Sequence, residues 1–140
     1  MIEIFCVGMS KDKSITSKLG GCGVVLISTD NHQRVQKREF SFGLNNSSQI
    51  LADIQACRLA LSSIIPAARH GKVMLYLDNP EVANILASDA TIATLSNQIS
   101  ELKRWKSYYN DITINVMDET HAKLNRAREL AAIGLETQTN

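Results

Sequence analysis

The chain has no excess of charge of either sign. Its 140 residues include 15 Lys and Arg against 14 Asp and Glu, which gives a formal net charge of +1. A domain that binds nucleic acid through its overall charge is strongly basic, so the composition excludes that mode of binding. Any contact with nucleic acid must therefore come from a local basic patch.

Cysteine is scarce, and no apolar run is long. Cys6, Cys22 and Cys57 are odd in number, widely spaced and set in apolar segments, so we expect reduced, buried thiols rather than a disulfide framework or a metal site. No apolar stretch approaches the ~20 residues of a membrane span, and the opening MIEIFCV has no basic segment or cleavage site. We expect a cytoplasmic protein that makes no membrane contact.

Hydrophobic residues make up 44% of the chain and charged residues 21%, which is the profile of one globular domain with a single core. The sequence shows no repeat, low-complexity segment or linker. We therefore expect one domain over residues 1–135, followed by a polar tail over 136–140 that frays.

Hydrophobic periodicity predicts an antiparallel meander followed by alternating helices and strands. The predicted strands are 2–7, 22–28, 34–42, 73–77 and 112–117. The predicted helices are 47–65, 81–87, 92–108 and 123–134. Asn46 and Gln49 form a capping box for the first helix, Pro66 ends it, and Pro80 begins the second. This order predicts an α/β fold: a five-stranded mixed sheet, three strands antiparallel and then two parallel, with helices on both faces.

Five segments, taken in order, resemble type 1 ribonuclease H across roughly the whole chain. They are IEIFCVGMS, GGCGVVL, NNSSQILADIQACRLAL, VMLYLDNPEV and INVMDETHAKLNRARELA. The resemblance implies a ribonuclease H-like fold. In an active member it also implies cleavage of RNA within an RNA/DNA hybrid, with Mg²⁺ or Mn²⁺ as the cofactor.

The resemblance also implies a degenerate active site. Two-metal phosphodiester cleavage uses several carboxylates to hold two ions about 3.5–4 Å apart. Of the family's four acids, two are matched by Asp53 and Asp78, whereas Val7 stands at the bridging Asp and Arg128 at the final Asp. A guanidinium repels Mg²⁺ and cannot be deprotonated in a protein. We therefore expect weak or absent metal binding, no cofactor and little or no catalysis.

Other acids lie near the lost ligands. Asp118 and Glu119 follow the last predicted strand, whereas Glu129 is turned about 100° away from the position of Arg128 on the helix. These acids are either replacement ligands or ordinary solvated surface groups. His121 matches the family's mobile loop histidine, which is thought to assist product release, and the alternative is an exposed loop histidine without a role.

Asp53 and Asp78 also need a partner for physical reasons. A carboxylate on an apolar helix face, or at the end of a buried strand, is costly unless a cation, donor or proton offsets it. Arg128 is the candidate cation. We predict that it forms a salt bridge with Asp53 or Asp78 in place of the metal.

Two segments are candidates for nucleic-acid contact. In LKRWK, basic residues flank an aromatic one and could contact phosphates and stack on a base; the alternative is a core-packed Trp edge surrounded by extended Lys side chains. The residues concerned are Lys103, Arg104, Trp105 and Lys106. In the resembled family an Asn-rich turn, matched here by Asn45 and Asn46, touches the 2′-hydroxyls of RNA.

Three functional hypotheses follow. The preferred one is a ribonuclease H-like domain that binds RNA/DNA hybrid or structured RNA without cutting it. The second is an active nuclease whose ligands come from Asp53, Asp78, Asp118 and Glu119. The third is an interaction module whose exposed edge strand, RVQKREFSF, pairs with another protein or with a second copy of the chain.

Overall fold

The computed structural model describes residues 1–11, 19–45, 48–118 and 121–139. The strands are β1 (Ile2–Ser10), β2 (Leu19–Thr29), β3 (Val35–Asn45), β4 (Lys72–Leu77) and β5 (Asp111–Val116). They form one five-stranded sheet in the order β3-β2-β1-β4-β5. The first three strands are antiparallel neighbours, and β4 runs parallel to both β1 and β5. The predicted mixed sheet is confirmed.

The α-helices of the described residues are α1 (Gln49–Ser62), α2 (Pro80–Ala87), α3 (Ser96–Ser107) and α4 (Ala122–Thr139). Short 3₁₀ helices span Pro66–His70 and Ala93–Leu95. The predicted helix 92–108 is therefore a 3₁₀ turn followed by α3. The last predicted helix ends at residue 134, but α4 continues to Thr139. Fraying of the 136–140 tail stays a prediction.

The predicted capping box at the start of α1 is also wrong. Ser48 is the N-cap, and its hydroxyl accepts a hydrogen bond from the Leu51 N–H at 3.4 Å. Gln49 makes other contacts, which are described below, and Asn46 lies outside the described residues. At the other end, α1 stops at Ser62, and Pro66 begins a 3₁₀ helix rather than ending α1 directly.

Alternation along β1 divides the core between two faces of the sheet. On one face Ile4 and Cys6 pack with residues of α1, α2 and α3. On the other face Phe5 and Val7 pack with Leu124 and its neighbours in α4. All three cysteines are buried free thiols, as predicted. α1 therefore lies on one face of the sheet and α4 on the other. Both helices pass the carboxyl end of β1, where the polar site lies.

Glycine allows α4 to lie directly on the sheet. A Cβ atom on Gly23 of β2 would overlap the carbonyl oxygen of Ala127, and one on Gly134 of α4 would overlap the carbonyl group of Phe42. Because backbone meets backbone at these points, the position of α4 above the sheet is fixed. This contact places Arg128, the residue after Ala127, beside the end of β1.

The segment predicted to be an exposed edge is indeed an edge strand. β3 pairs only with β2 in the sheet order, and Val35 is 63% exposed. Its backbone groups on the outer side have no neighbouring strand within the sheet. No helix of the described residues is both long and apolar enough to cross a membrane.

Candidate functional site

A cleft of about 590 Å³ lies at the carboxyl ends of β1 and β4. Parallel strands present their carboxyl ends at the same edge of a sheet, which is where open α/β sheets bind ligands. The charged and amide side chains of the lining are Lys11, Gln49, Asp53, Asp78, Asn79 and Arg128. The cleft thus brings together the predicted acids, Asp53 and Asp78, with Val7 and Arg128.

Gly8 sets the distance between β1 and α1 at this cleft. A Cβ atom there would overlap the carbonyl group of Ala52 and the backbone nitrogen of Asp53. The close approach lets the Gly8 N–H donate to Asp53 Oδ1 at 3.1 Å. A single glycine therefore connects the end of β1 to the acid on α1.

Asp53 is 7% exposed and accepts hydrogen bonds from three groups. Besides Gly8, the donors are Gln49 Nε2 at 3.2 Å and Asn79 Nδ2 at 2.8 Å, both to Oδ2. Burial raises the pKa of Asp53 to about 6, while these hydrogen bonds counteract part of the rise. The carboxyl is mostly ionised at neutral pH and is held by neutral donors.

Gln49 and Asn79 are site residues that the sequence analysis missed. Gln49 Nε2 also donates to the Gly8 carbonyl at 2.9 Å, and its Oε1 accepts from the Ser10 N–H at 3.2 Å. Asn79 caps α2 by accepting from the Glu81 N–H at 3.0 Å. One signal was available for Gln49, since it lies four residues before Asp53 and so shares its helix face.

Asp78 is paired with Arg128. Arg128 Nη2 lies 2.8 Å from Asp78 Oδ2, with side-chain exposures of 27% and 20% respectively. Arg128 Nη1 also donates to the side-chain oxygen of Asn125, one turn earlier on α4. The predicted salt bridge is confirmed, with Asp78 as the partner.

Of the other candidate acids, Asp118 and Glu129 do not line the cleft. Asp118 is exposed after β5, and Glu129 pairs at the surface with Arg126 at 2.9 Å, as its helix position predicts. Glu119 lies outside the described residues. Across the described ranges, no three His, Cys, Asp or Glu side chains are grouped so that they could share a metal.

His121 does not line the cleft. It is half-buried, and its ring stacks on Phe5 with 5.6 Å between the ring centroids. A role in product release stays a prediction.

The LKRWK segment also lies away from the cleft. Trp105 is half-buried, with the Arg69 guanidinium carbon 5.2 Å from its ring centroid. Lys106 Nζ donates to the Leu86 carbonyl at 2.6 Å, and Lys103 Nζ to the Ser88 carbonyl at 3.0 Å. This packing favours the structural alternative for Trp105. Nucleic-acid contact by Lys103, Arg104, Trp105 and Lys106, or by the exposed Asn45, stays a prediction.

Comparison with known proteins finds no matching family model and no matching curated protein. Solved structures match along nearly the whole chain. Ribonuclease H1 from Halobacterium salinarum aligns with a TM-score of 0.77 at 21% identity, covering 97% of this chain and 98% of that one. LC11-RNase H1, solved in complex with an RNA/DNA hybrid, aligns at 0.78 with 16% identity over 100% of both chains. The N-terminal ribonuclease H domain of a Mycobacterium tuberculosis protein aligns at 0.78 with 15% identity, covering 96% and 98%. The chain has the ribonuclease H-like fold.

The residues of this cleft do not fit a pair of Mg²⁺ ions. Mg²⁺ takes oxygen ligands at about 2.0–2.1 Å in near-ideal octahedral geometry. Here both oxygens of Asp53 accept N–H bonds, and Oδ2 of Asp78 faces a guanidinium. The side chain of Val7, which is 4% exposed, carries no oxygen. Groups of the chain itself thus already hydrogen-bond or ion-pair with both carboxylates of the cleft.

Proposed function

We propose that this chain is a ribonuclease H-like domain that binds RNA/DNA hybrid or structured RNA without cutting it. The observation that carries the proposal is the 2.8 Å ion pair between Arg128 and Asp78 inside the cleft. It sets a fixed positive charge where two-metal cleavage requires a cation-binding carboxylate. Binding can outlast catalysis because phosphate contacts need cations on the protein rather than a metal pair.

Support for nucleic acid as the ligand comes from the fold and from the chemistry of the cleft. LC11-RNase H1, a structural neighbour, was solved with an RNA/DNA hybrid. In the present chain the cleft carries Lys11 and Arg128 beside the amides of Gln49 and Asn79. Amide and cationic donors are the groups that contact phosphates and ribose hydroxyls. A cytoplasmic location is part of the same proposal.

The first test is cleavage of a labelled RNA/DNA hybrid in Mg²⁺ or Mn²⁺, with fluorescence anisotropy recorded on the same samples. We expect binding without cleavage. Metal-dependent cleavage that Asp78→Asn abolishes would overturn the proposal and favour the rearranged ligand set that includes Asp118 and Glu119. If neither binding nor cleavage occurs, the nucleic-acid proposal fails as a whole.

One observation favours a second candidate function. β3 is an 11-residue edge strand, exposed along most of its length. Such an edge can add a strand from another protein or from a second copy of the chain. Size-exclusion chromatography with light scattering tests the second-copy form, and Val35→Lys should abolish any dimer that forms through this edge.

A further inference from the structure

The charges lining the cleft cancel without any bound ion. Asp53 and Asp78 contribute the negative charges of the lining, and Lys11 and Arg128 contribute the positive ones. A carboxylate cluster that uses divalent ions has an excess of negative charge until the ions arrive, and it repels a phosphate in their absence. This cleft carries its own counter-charges.

The guanidinium of Arg128 is held in a fixed orientation. Asp78 anchors Nη2 at 2.8 Å, and the side chain of Asn125 anchors Nη1. The backbone contact between Ala127 and Gly23 fixes the helix that carries Arg128. The Arg128 side chain nevertheless remains 27% exposed and lines the cleft. An oriented guanidinium suits a phosphate because its planar fork matches the phosphate oxygens, and little side-chain entropy is lost on binding.

We propose that Arg128, together with Lys11, binds a backbone phosphate of the hybrid directly, so that hybrid binding at this cleft requires no divalent ion. The inference rests on the proposed function, since it takes the hybrid as the ligand. It adds the groups that hold the phosphate and the independence from metal.

The sign of the Asp78 effect separates this arrangement from a metal site. If Asp78 held a metal that bridged to phosphate, Asp78→Asn would weaken binding. In the arrangement proposed here Asp78 competes with phosphate for the Arg128 guanidinium and repels the phosphate charge, whereas Asn125 still anchors Nη1 when Asp78 is replaced. We therefore expect Asp78→Asn to tighten hybrid binding by about 3- to 10-fold at low salt, the size of one short-range charge interaction that bulk water screens.

The experiment measures the Kd of a fluorescein-labelled hybrid by anisotropy, in EDTA and in Mg²⁺ at matched ionic strength. The wild-type Kd should agree within about twofold between the two buffers. Arg128→Ala should weaken binding about 10-fold and reduce the slope of log K against log salt by about 1. The Kd of Arg128→Lys should lie between those of wild type and Arg128→Ala, because lysine keeps the positive charge but lacks the planar fork of the guanidinium.

Arg126→Ala is the matched control. It removes the same charge two positions away on α4, from a side chain paired with Glu39 and Glu129 and absent from the cleft lining. Its Kd should stay within about twofold of wild type, since Glu39 and Glu129 already pair with its charge and its side chain does not line the cleft. Equal effects of Arg126→Ala and Arg128→Ala would overturn the inference.

The remaining outcomes separate the inference from the proposed function. Hybrid binding that disappears in EDTA overturns the inference and leaves nucleic-acid binding intact. Absence of hybrid binding in both buffers overturns the proposed function and the inference with it. If Arg128→Ala does not fold, as judged by thermal melting, Arg128→Lys and Asp78→Asn decide the matter, and weaker binding by Asp78→Asn refutes the inference.

Discussion

Asp53 offers the sharpest test of the electrostatics of the cleft, because burial and hydrogen bonding act on its carboxyl in opposite directions. Burial, the largest effect, raises the pKa to about 6 from an ordinary 3.8, against the lowering by Asn79, Gln49 and Gly8. The unfolded chain has the ordinary pKa. Between these two values the native state binds more protons than the unfolded state, so the free energy of unfolding falls as pH rises through this window.

The size of the effect follows from the two pKa values. Each pKa unit corresponds to about 1.4 kcal/mol, so the full contribution of Asp53 is about 3 kcal/mol, of which about 2 kcal/mol is lost between about pH 4 and about pH 7.5. Asp53→Asn has no proton to lose. Urea denaturation of wild type and Asp53→Asn at both pH values should therefore show the difference in unfolding free energy move by about 2 kcal/mol in favour of the variant at the higher pH.

Only the change of this free-energy difference with pH tests the raised pKa of Asp53. Asparagine also turns one acceptor into a donor and disrupts hydrogen bonds from Gly8, Gln49 or Asn79, but that penalty is the same at both pH values. Ser48→Ala provides the control, because it weakens α1 without removing a titratable group, and its difference from wild type should not change with pH. A constant difference for Asp53→Asn as well would refute the raised pKa.

Three further predictions concern the same region. Gly8→Ala forces a Cβ atom into the backbone of Ala52, so urea denaturation should show a loss of about 3 kcal/mol or more. Ser48→Ala removes the N-cap acceptor of α1 and should cost about 1 kcal/mol in the same assay. Val7→Asp combined with Arg128→Asp rebuilds an acidic cluster, so Mg²⁺ should raise the melting temperature of this double variant and leave that of wild type unchanged, as binding to the native state alone requires. Equal Mg²⁺ responses in the two proteins would contradict the assignment of these positions.

The parts of the fold set by hydrophobic periodicity could be predicted from the sequence. The continuous apolar run VMLYL forms β4 after its exposed first residue, Lys72. Every residue of the run is buried or half-buried, and Asp78 follows it at the cleft. The Arg128 ion pair was predictable for a different reason, because a carboxylate in an apolar setting needs a compensating group. Both predictions rest on the free-energy cost of exposing apolar groups or burying an uncompensated charge, which the residues of one local segment already determine.

The parts that depend on tertiary contact could not be predicted in this way. Gly134 would usually signal a helix end, yet it allows α4 to pack on the backbone of Phe42, and the helix continues past it. Gln49 matched a capping pattern, but its amide instead binds Gly8 and Ser10 of β1, which are distant in sequence. Each of these residues has a local role that competes with a contact visible only in the folded chain.

The two acids of the cleft are stabilised in different ways, and this difference separates structure from binding. Asp53 is held by neutral N–H donors from β1, α1 and the start of α2, so its carboxylate connects three elements and its substitution should act mainly on stability. Asp78 is held by Arg128, a cation at the cleft surface, so its substitution should act mainly on what the cleft binds. A carboxylate pair that had to coordinate one metal could not divide its roles in this way, because both acids would then affect binding together. If the cation of the cleft is part of the chain, Asp53→Asn should therefore change mainly the stability of the fold. Asp78→Asn should change mainly the affinity for the hybrid.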